Sequence, residues 1–567
     1  MSVRLLVSIC AATGALLLPT GAQARYVHRH LPVASIARAL PANSPETVVQ
    51  DDAVLLHGTD AQITDALGKI RALGIDRVRV TAGWSVIAPQ PDSAQRPTFD
   101  DTDPAAYPPG NWDNLDRIVK MANAVGVKVM IDIAFWAPRW ATQSRPDETI
   151  RLRTNIDPVL YAHFATAVAR RYSGTWTPPA PPANQPPPQP EPSPDGNFLT
   201  QLFGGGKSSP PPPPPPAPVV TTPPPVALPA VDIFTIWNEP NHPGFLQPQW
   251  TTENGHLVPH SADIYRAMVR AAYPAIKAVA PNARVLIGAT SSGGATQPGH
   301  SGVTPMKFLR RFACVDDHWR PITTGSCAGF TTIPGDGWSH HPYSLRTLPD
   351  AIPHDPDKLP VANTASLLGA LHRLVVAGRL APANQDLYMT EYGYETSPPD
   401  PQAVFGPGRQ AQLLSWAEFI ATRSPRVRMW PQFQLIDRPG DPAGPTMRAF
   451  GDWQSGLYYA DWSPKPAAAT YRTPTFAACV NRGGRKRVMV WGRVREGQRA
   501  AVTLDREVVR ARSASVHPVA HIATLPADRE LLRFVTYVRG ARYRLTWATA
   551  QGTLAGPAVA PVDCGGS

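Results

Sequence analysis

The sequence predicts a (β/α)8 TIM barrel with a proline-rich disordered insertion and a C-terminal β-sandwich. Three observations carry this prediction. Between Asp51 and Ala468 short apolar runs alternate with amphipathic segments, the pattern of parallel strands wrapped by helices. The stretch Pro178 to Ala230 holds 22 of the chain's 67 prolines, including the unbroken run Pro210 to Pro216, so neither helix nor interior strand can run through it. From about Thr475 the pattern changes to short segments of period two, which suit strands with one buried face.

Eight barrel strands are expected at Val54–Gly58, Arg77–Thr81, Lys128–Phe135, Asp232–Trp237, Arg284–Gly288, Gly337–His341, Leu387–Glu391 and Met429–Ile436. Helices fit between them at Ile63–Leu73, Trp112–Val125, Pro158–Tyr172, Ala262–Val279, Thr304–Phe312, Ala365–Ala377 and Gly408–Arg423. The first two end at Gly74 and Gly126, as helices closed by a left-handed residue do. A doubly wound open sheet is the rival architecture. It requires a glycine-rich phosphate turn after the first strand, and Leu55-Leu56-His57-Gly58-Thr59-Asp60 lacks one. Gly204-Gly205-Gly206-Lys207-Ser208 is no P-loop either, because Gln201 stands where the first motif glycine belongs.

The expected organisation is an export signal at 1–24, an N-terminal extension at 25–50, the barrel at 51–473 and the sandwich at 475–567. The low-complexity insertion at 174–230 falls between the third helix and the fourth strand, on the barrel face opposite the βα loops. Sandwich strands are expected at Val488–Gly492, Ala500–Asp505, Leu531–Val538 and Arg542–Ala548. Packing against the barrel is the expected role of this unit, with carbohydrate binding as the alternative.

At the N-terminus Arg4 precedes an apolar run from Leu5 to Leu18, and Ala22-Gln23-Ala24 supplies the small residues of a signal-peptidase site. Cleavage after Ala24 and secretion, extracellular or cell-wall associated, are expected. No later stretch reaches the roughly 20 apolar residues of a membrane span, so no integral membrane contact is implied. Cys10 would leave with the signal, and the remaining four cysteines allow three pairings. Cys314–Cys327 with Cys479–Cys564 is preferred, because each pair closes one local unit. No CxxC, HExxH or Cys/His cluster occurs, so no metal or other cofactor is implied. The net charge of +11 invites a nucleic-acid reading, but the arginines are dispersed. The densest basic cluster, Arg482, Arg485, Lys486 and Arg487, is short, and no nucleic-acid partner is implied.

In a TIM barrel the chemistry sits at the C-terminal ends of strands. The fourth strand ends in Trp237-Asn238-Glu239-Pro240-Asn241 and the seventh in Thr390-Glu391-Tyr392-Gly393. Two carboxylates thus occupy ends of strands that face each other across the barrel. Retaining glycoside hydrolysis needs such a pair, one to protonate the leaving oxygen and one to attack the anomeric carbon, about 5–5.5 Å apart. Over roughly residues 50 to 470 the sequence resembles the TIM-barrel clan of retaining glycosidases. Trp-Asn-Glu-Pro-Asn with Thr-Glu-Tyr looks most like glycoside hydrolase family 39 and its cellulase-like relatives.

The resemblance implies that Glu239 is the acid/base, Glu391 the nucleophile, and Asn238 the partner of the sugar 2-hydroxyl. It also implies that Arg79 holds the nucleophile ionised, and that His341-Pro342-Tyr343 closes strand six with Tyr343 near Glu391. Glu395 competes with Glu391, and His340 with His341; Arg79 could instead be an ion-pair partner within the barrel. The clan's substrate-facing Trp on strand eight is replaced here by Gln434. Aromatics follow several strand ends, namely Trp84, Phe135, Trp136, Trp140, Trp250, Trp338 and Trp453. Sugar rings stack on such surfaces, and Trp136 and Trp338 are the leading candidates.

The expectation is a secreted retaining glycosidase that hydrolyses a β-linked oligo- or polysaccharide by double displacement. A non-catalytic glycan- or wall-binding barrel and a transglycosylase are the alternatives.

Overall fold

A computed structural model describes residues 29–32, 45–144, 152–179, 226–295, 302–440, 453–495, 502–508, 517–525, 530–549 and 552–564 of the 567. The expected signal peptide, Cys10 and the run Pro210–Pro216 lie outside these residues.

Eight parallel strands close a barrel: β1 (Glu46–Gln50), β2 (Arg77–Gly83), β3 (Lys128–Ala134), β4 (Ile233–Ile236), β5 (Arg284–Ser291), β6 (Trp338–His341), β7 (Leu387–Met389) and β8 (Val427–Phe433). Each pairs with its neighbours in sequence, and β8 closes on β1 with Met429 opposite Glu46 and Phe433 opposite Gln50. The principal helix after each strand is, in order, α1 (Asp60–Ala72), α2 (Asp113–Ala124), α3 (Pro158–Arg171), α4 (His260–Val279), α5 (Pro305–Phe312), α6 (Thr364–Val376), α7 (Pro407–Ala421) and α8 (Pro466–Arg472). Thr59 and Gln62 form a capping box that starts α1, and Asp157 caps α3 with Pro158 in its first turn. Gly74 and Gly126 take the left-handed conformation, φ +68° and +74°.

The first strand corrects the sequence reading. It is Glu46–Gln50, not Val54–Gly58, and it lies in the segment read as an N-terminal extension. The β-branched run Thr47-Val48-Val49 suits a pleated strand. Ala53, Leu55 and Leu56 favour a helical turn, and Asp52–Leu55 forms one. An apolar run of four residues cannot distinguish the two by periodicity. α8 was not anticipated.

Val48, Met130, Ile233, Leu286, Tyr388 and Met429 form an apolar layer across the bottom of the barrel. Above it the lining turns polar, with Gln50, Arg79, Asp132 and Thr235 all buried. The stems of the proline-rich insertion leave from the opposite end to Glu239. Val231 donates its backbone N–H to Tyr172, at the end of α3, and Leu228 donates to Trp176.

Two antiparallel sheets follow the barrel. One contains β9 (Thr475–Arg482), β10 (Arg485–Gly492) and β13 (Leu531–Thr536). The other contains β11 (Val502–Val508), β12 (His517–Leu525), β14 (Ala541–Thr549) and β15 (Gly552–Ala555). Val488, Val490, Leu504, Leu531, Tyr543 and Leu545 fill the core between them. Phe476 of β9 stacks on Trp416 of α7 at 5.3 Å, and Phe419 meets both Phe476 and Trp491. α7 is therefore covered on nearly every side, which explains its lack of a polar face. Cys314 is bonded to Cys327 and Cys479 to Cys564, the preferred pairing. No described helix is long and apolar enough to cross a membrane.

Candidate active site

The four residues of β4, Ile-Phe-Thr-Ile, are fully buried, and the chain turns sharply as it leaves the barrel. Trp237 and Glu239 both take positive φ, +60° and +38°, a strain of about 1–3 kcal/mol per residue of the kind that collects at functional sites. The end of β5 and the loop after it hold the turn. Glu239 donates its N–H to Ala289 at 2.9 Å. The Asn241 side chain accepts from Ser291 N–H and donates to the Val303 carbonyl. The Trp-Asn-Glu-Pro-Asn segment is thus a fixed platform at the end of β4 that aims Glu239 inward.

Glu391 follows β7 by two residues and is nearly buried. Arg79, fully buried on β2, donates from Nη1 to Glu391 Oε1 at 2.6 Å and from Nη2 to Asn238 Oδ1 at 3.0 Å. Nη1 also donates to Gln50 Oε1. The Tyr343 hydroxyl donates to Glu391 Oε2 at 3.2 Å. His341 stands between the carboxylates, with Nδ1 2.9 Å from Glu239 Oε1 and 3.6 Å from Glu391 Oε2. An oxygen of Glu239, an oxygen of Glu391 and a nitrogen of His341 all lie within 4.8 Å of one another. This is also the one grouping of metal-ligand type among the described residues, but the Arg79 guanidinium already supplies the positive charge beside Glu391.

The electrostatics separate the two acids. Burial and then the Glu391 charge push the Glu239 carboxyl well above its ordinary range, against Arg79. Burial raises Glu391 too, to about 7, with Arg79 and the Tyr343 hydroxyl opposing the rise and Asp132 adding to it. One site therefore holds a carboxyl with no cationic hydrogen-bond partner beside one that accepts from a guanidinium and a phenol, which assigns the proton to Glu239 and the negative charge to Glu391. His341 is held well below its usual value by burial, then by Arg79 and His340, and is neutral.

Of the sequence candidates, Arg79, Asn238, Glu239, His341, Tyr343 and Glu391 converge. Trp136 lies on the same face after β3, where its Nε1 donates to Gly244 O at 3.0 Å and its ring stacks parallel to Phe245 at 6.5 Å. Trp338 is a correction. It opens β6 instead of ending it, and its fully buried ring packs edge-on against Phe312 of α5, so no sugar can reach it. Strand alternation sends His340 outward in the same way, where Thr290 and the Leu359 carbonyl hold it, and leaves His341 inward. Glu395 is half-buried farther along the loop, raised to about 7 by burial and by Asp400; Arg79 and Tyr343 reach Glu391 instead.

Three contributors escaped the sequence reading. Gln50 sat in the supposed extension, Asp132 is a lone carboxylate inside an apolar strand, and Phe245 pairs with Trp136. Trp453 packs on Tyr343 at 4.9 Å and on Phe433 at 5.6 Å. An indole thus stands beside the end of β8, next to the segment that carries Gln434.

No family model matches the chain, and no curated protein does. Solved structures with a similar fold include an exo-β-1,4-mannosidase from Opitutaceae bacterium strain TAV5, at 12% identity and TM-score 0.39 over 76% of this chain and 58% of that one. This chain thus spans less than two thirds of that enzyme's length. The virulence factor SghA from Agrobacterium tumefaciens, in complex with its substrate analogue salicin, matches at 13% identity and TM-score 0.41 over 77% of this chain and 96% of that one. GH5_18 from Streptomyces cattleya in complex with GlcNAc matches at 14% identity and TM-score 0.41, over 75% and 78% of the two chains. Likeness at this level bears on neither substrate nor mechanism, which must come from the site itself.

Proposed function

We propose that the protein is a secreted retaining glycoside hydrolase acting on a β-linked glycan, nearest in kind to the family 39 branch of the clan. One observation carries the reading: oxygens of Glu239 and Glu391 approach within 4.8 Å from facing strand ends. So close an approach suits direct attack by one carboxylate, as in retaining enzymes with carboxyls about 5–5.5 Å apart, better than the separation of about 6.5–9.5 Å that inverting enzymes use to admit a water. The two bonded disulfides suit an oxidising compartment.

In the first step Glu239 gives its proton to the glycosidic oxygen while Glu391 attacks the anomeric carbon, forming a covalent glycosyl-enzyme. Charge on Glu391 is then consumed, so Glu239 loses the anion that raised its pKa and becomes the base that takes a proton from water. Water attacks the anomeric carbon and releases Glu391 with net retention. Arg79 and Tyr343 steady the carboxylate as its charge falls and returns. His341 keeps Glu239 oriented through the 2.9 Å contact without adding charge.

A digest of a glycan and aryl-glycoside panel tests the reading. Glu391→Ala is expected to abolish hydrolysis and, with azide, to give a glycosyl azide of inverted configuration. Glu239→Ala with azide should give the retained one on a substrate with an activated leaving group. Undiminished hydrolysis by Glu391→Ala would contradict the assignment.

A further inference from the structure

Asp132 is the one acidic residue of β3, set between Met130-Ile131 and Ile133-Ala134. It is completely buried, in register with Thr81 of β2 on one side and Thr235 of β4 on the other. A buried carboxylate survives only with compensating partners, and its two oxygens are employed differently. Thr235 Oγ1 donates to Oδ1. Oδ2 lies 2.9 Å from Arg79 Nη2 in an ion pair without hydrogen-bond alignment, and Nη2 also donates to Asn238. The same guanidinium donates to Glu391 through Nη1. A single cation is therefore shared between a carboxylate at the floor of the site and the carboxylate assigned to attack the sugar.

We propose that Asp132 is a positioning residue for the nucleophile: it anchors Arg79 from below and neutralises part of its charge, so that Glu391 is held in place without being over-stabilised as an anion. The inference rests on the assignment of Glu391 as nucleophile. A guanidinium given wholly to Glu391 would lower its basicity and with it its nucleophilicity; a guanidinium left unanchored would let the carboxylate drift from the line of attack.

The surrounding charges agree with this division. Burial holds Asp132 up at about 6, against Arg79 and Thr235, with Asp52 beyond Thr81 adding to the rise. The phenols of Tyr161 on α3 and Tyr265 on α4 also feel its charge. Glu391 in turn is faced by Arg79, Tyr343, Glu239 and His341, and the charge of Asp132 is among the influences that raise it.

The test is Asp132→Asn, which keeps the shape and an acceptor for Thr235 but removes the charge. The acid limb of kcat/KM for an aryl glycoside, which follows ionisation of Glu391, should move down by roughly one pH unit. kcat should fall at least tenfold while KM changes little. Thr235→Val provides a second route, since it removes the donor that keeps Asp132 ionised and should move the same limb in the same direction by less. 13C NMR titration of the Glu391 carboxyl in either variant reads the shift without turnover. A limb and a titration that stay in place, or move upward, in a folded variant would overturn the role. Failure of the underlying assignment would appear separately, as a Glu391→Ala variant that still hydrolyses.

Discussion

Replacing Glu391 by Gln should lower the pKa of Glu239 by about two units or more. The two carboxyls approach within 4.8 Å in a buried site, and burial together with the Glu391 charge is what holds Glu239 high. Two unit charges at that distance interact by about 3.5 kcal/mol at an effective dielectric near 20, or roughly 2.5 pKa units. The amide removes this repulsion and leaves Asp132 as the anion paired with Arg79, so less of the guanidinium charge is neutralised and both changes favour the ionised form of Glu239. Burial opposes them but is common to both proteins and cancels. The assay is a 13C NMR titration of glutamate side-chain carboxyls in the wild type and in Glu391→Gln, with the Glu239 signal assigned by its loss in Glu239→Gln. A Glu239 midpoint at the same pH in both proteins would refute the coupling, and with it the physical basis for one residue serving first as acid and then as base.

Three further outcomes follow from named contacts. Tyr343→Phe removes one hydroxyl from Glu391 Oε2, a charge-assisted bond of about 1.5–3 kcal/mol; kcat/KM should fall roughly 10- to 100-fold by steady-state assay, with the acid limb moved to higher pH. His340 is buried neutral and held down to about 4 by burial, against the bonds to Leu359 and Thr290. Its contribution to stability is complete above its unfolded value near 6.5 and is lost as the pH falls toward 4, so the unfolding free energy of wild type, from urea titrations, should fall relative to that of His340→Asn by up to about 3 kcal/mol across that window; a difference independent of pH would contradict this. Phe419→Ala empties the contact between α7 and the sandwich and should lower stability by about 3–5 kcal/mol, read as a lower thermal midpoint.

The barrel was legible where apolar strands are bounded by chemistry that cannot be mistaken for core. Ile-Phe-Thr-Ile followed by Trp-Asn-Glu, and Leu-Tyr-Met-Thr followed by Glu-Tyr, each give a strand and the carboxylate at its end together. A glycine stop makes a helix end legible, as at Gly74 after α1 and Gly126 after α2. The misreadings share one cause: tertiary placement decides between local alternatives of similar cost. Ala53 to Leu56 could be strand or helix, and the barrel closes through Thr47, Val48 and Val49 instead. Trp338 lies three residues before His341, yet strand direction puts it at the closed end, under α5. Asp132 was hidden because an acidic residue within an apolar run carries no partner in the sequence; Arg79 and Thr235 become its neighbours only when β2, β3 and β4 align.

The most direct test of the central claim is to trap the intermediate. Once the glycan panel identifies the sugar accepted, the wild-type protein is incubated with the corresponding 2-deoxy-2-fluoro glycoside bearing an activated leaving group, then digested and mapped by mass spectrometry. Activity is expected to be lost with time and one fluoroglycosyl residue to be attached to the peptide containing Glu391, with Glu239 unmodified. Label on any other residue, or turnover with no covalent adduct, would contradict the claim.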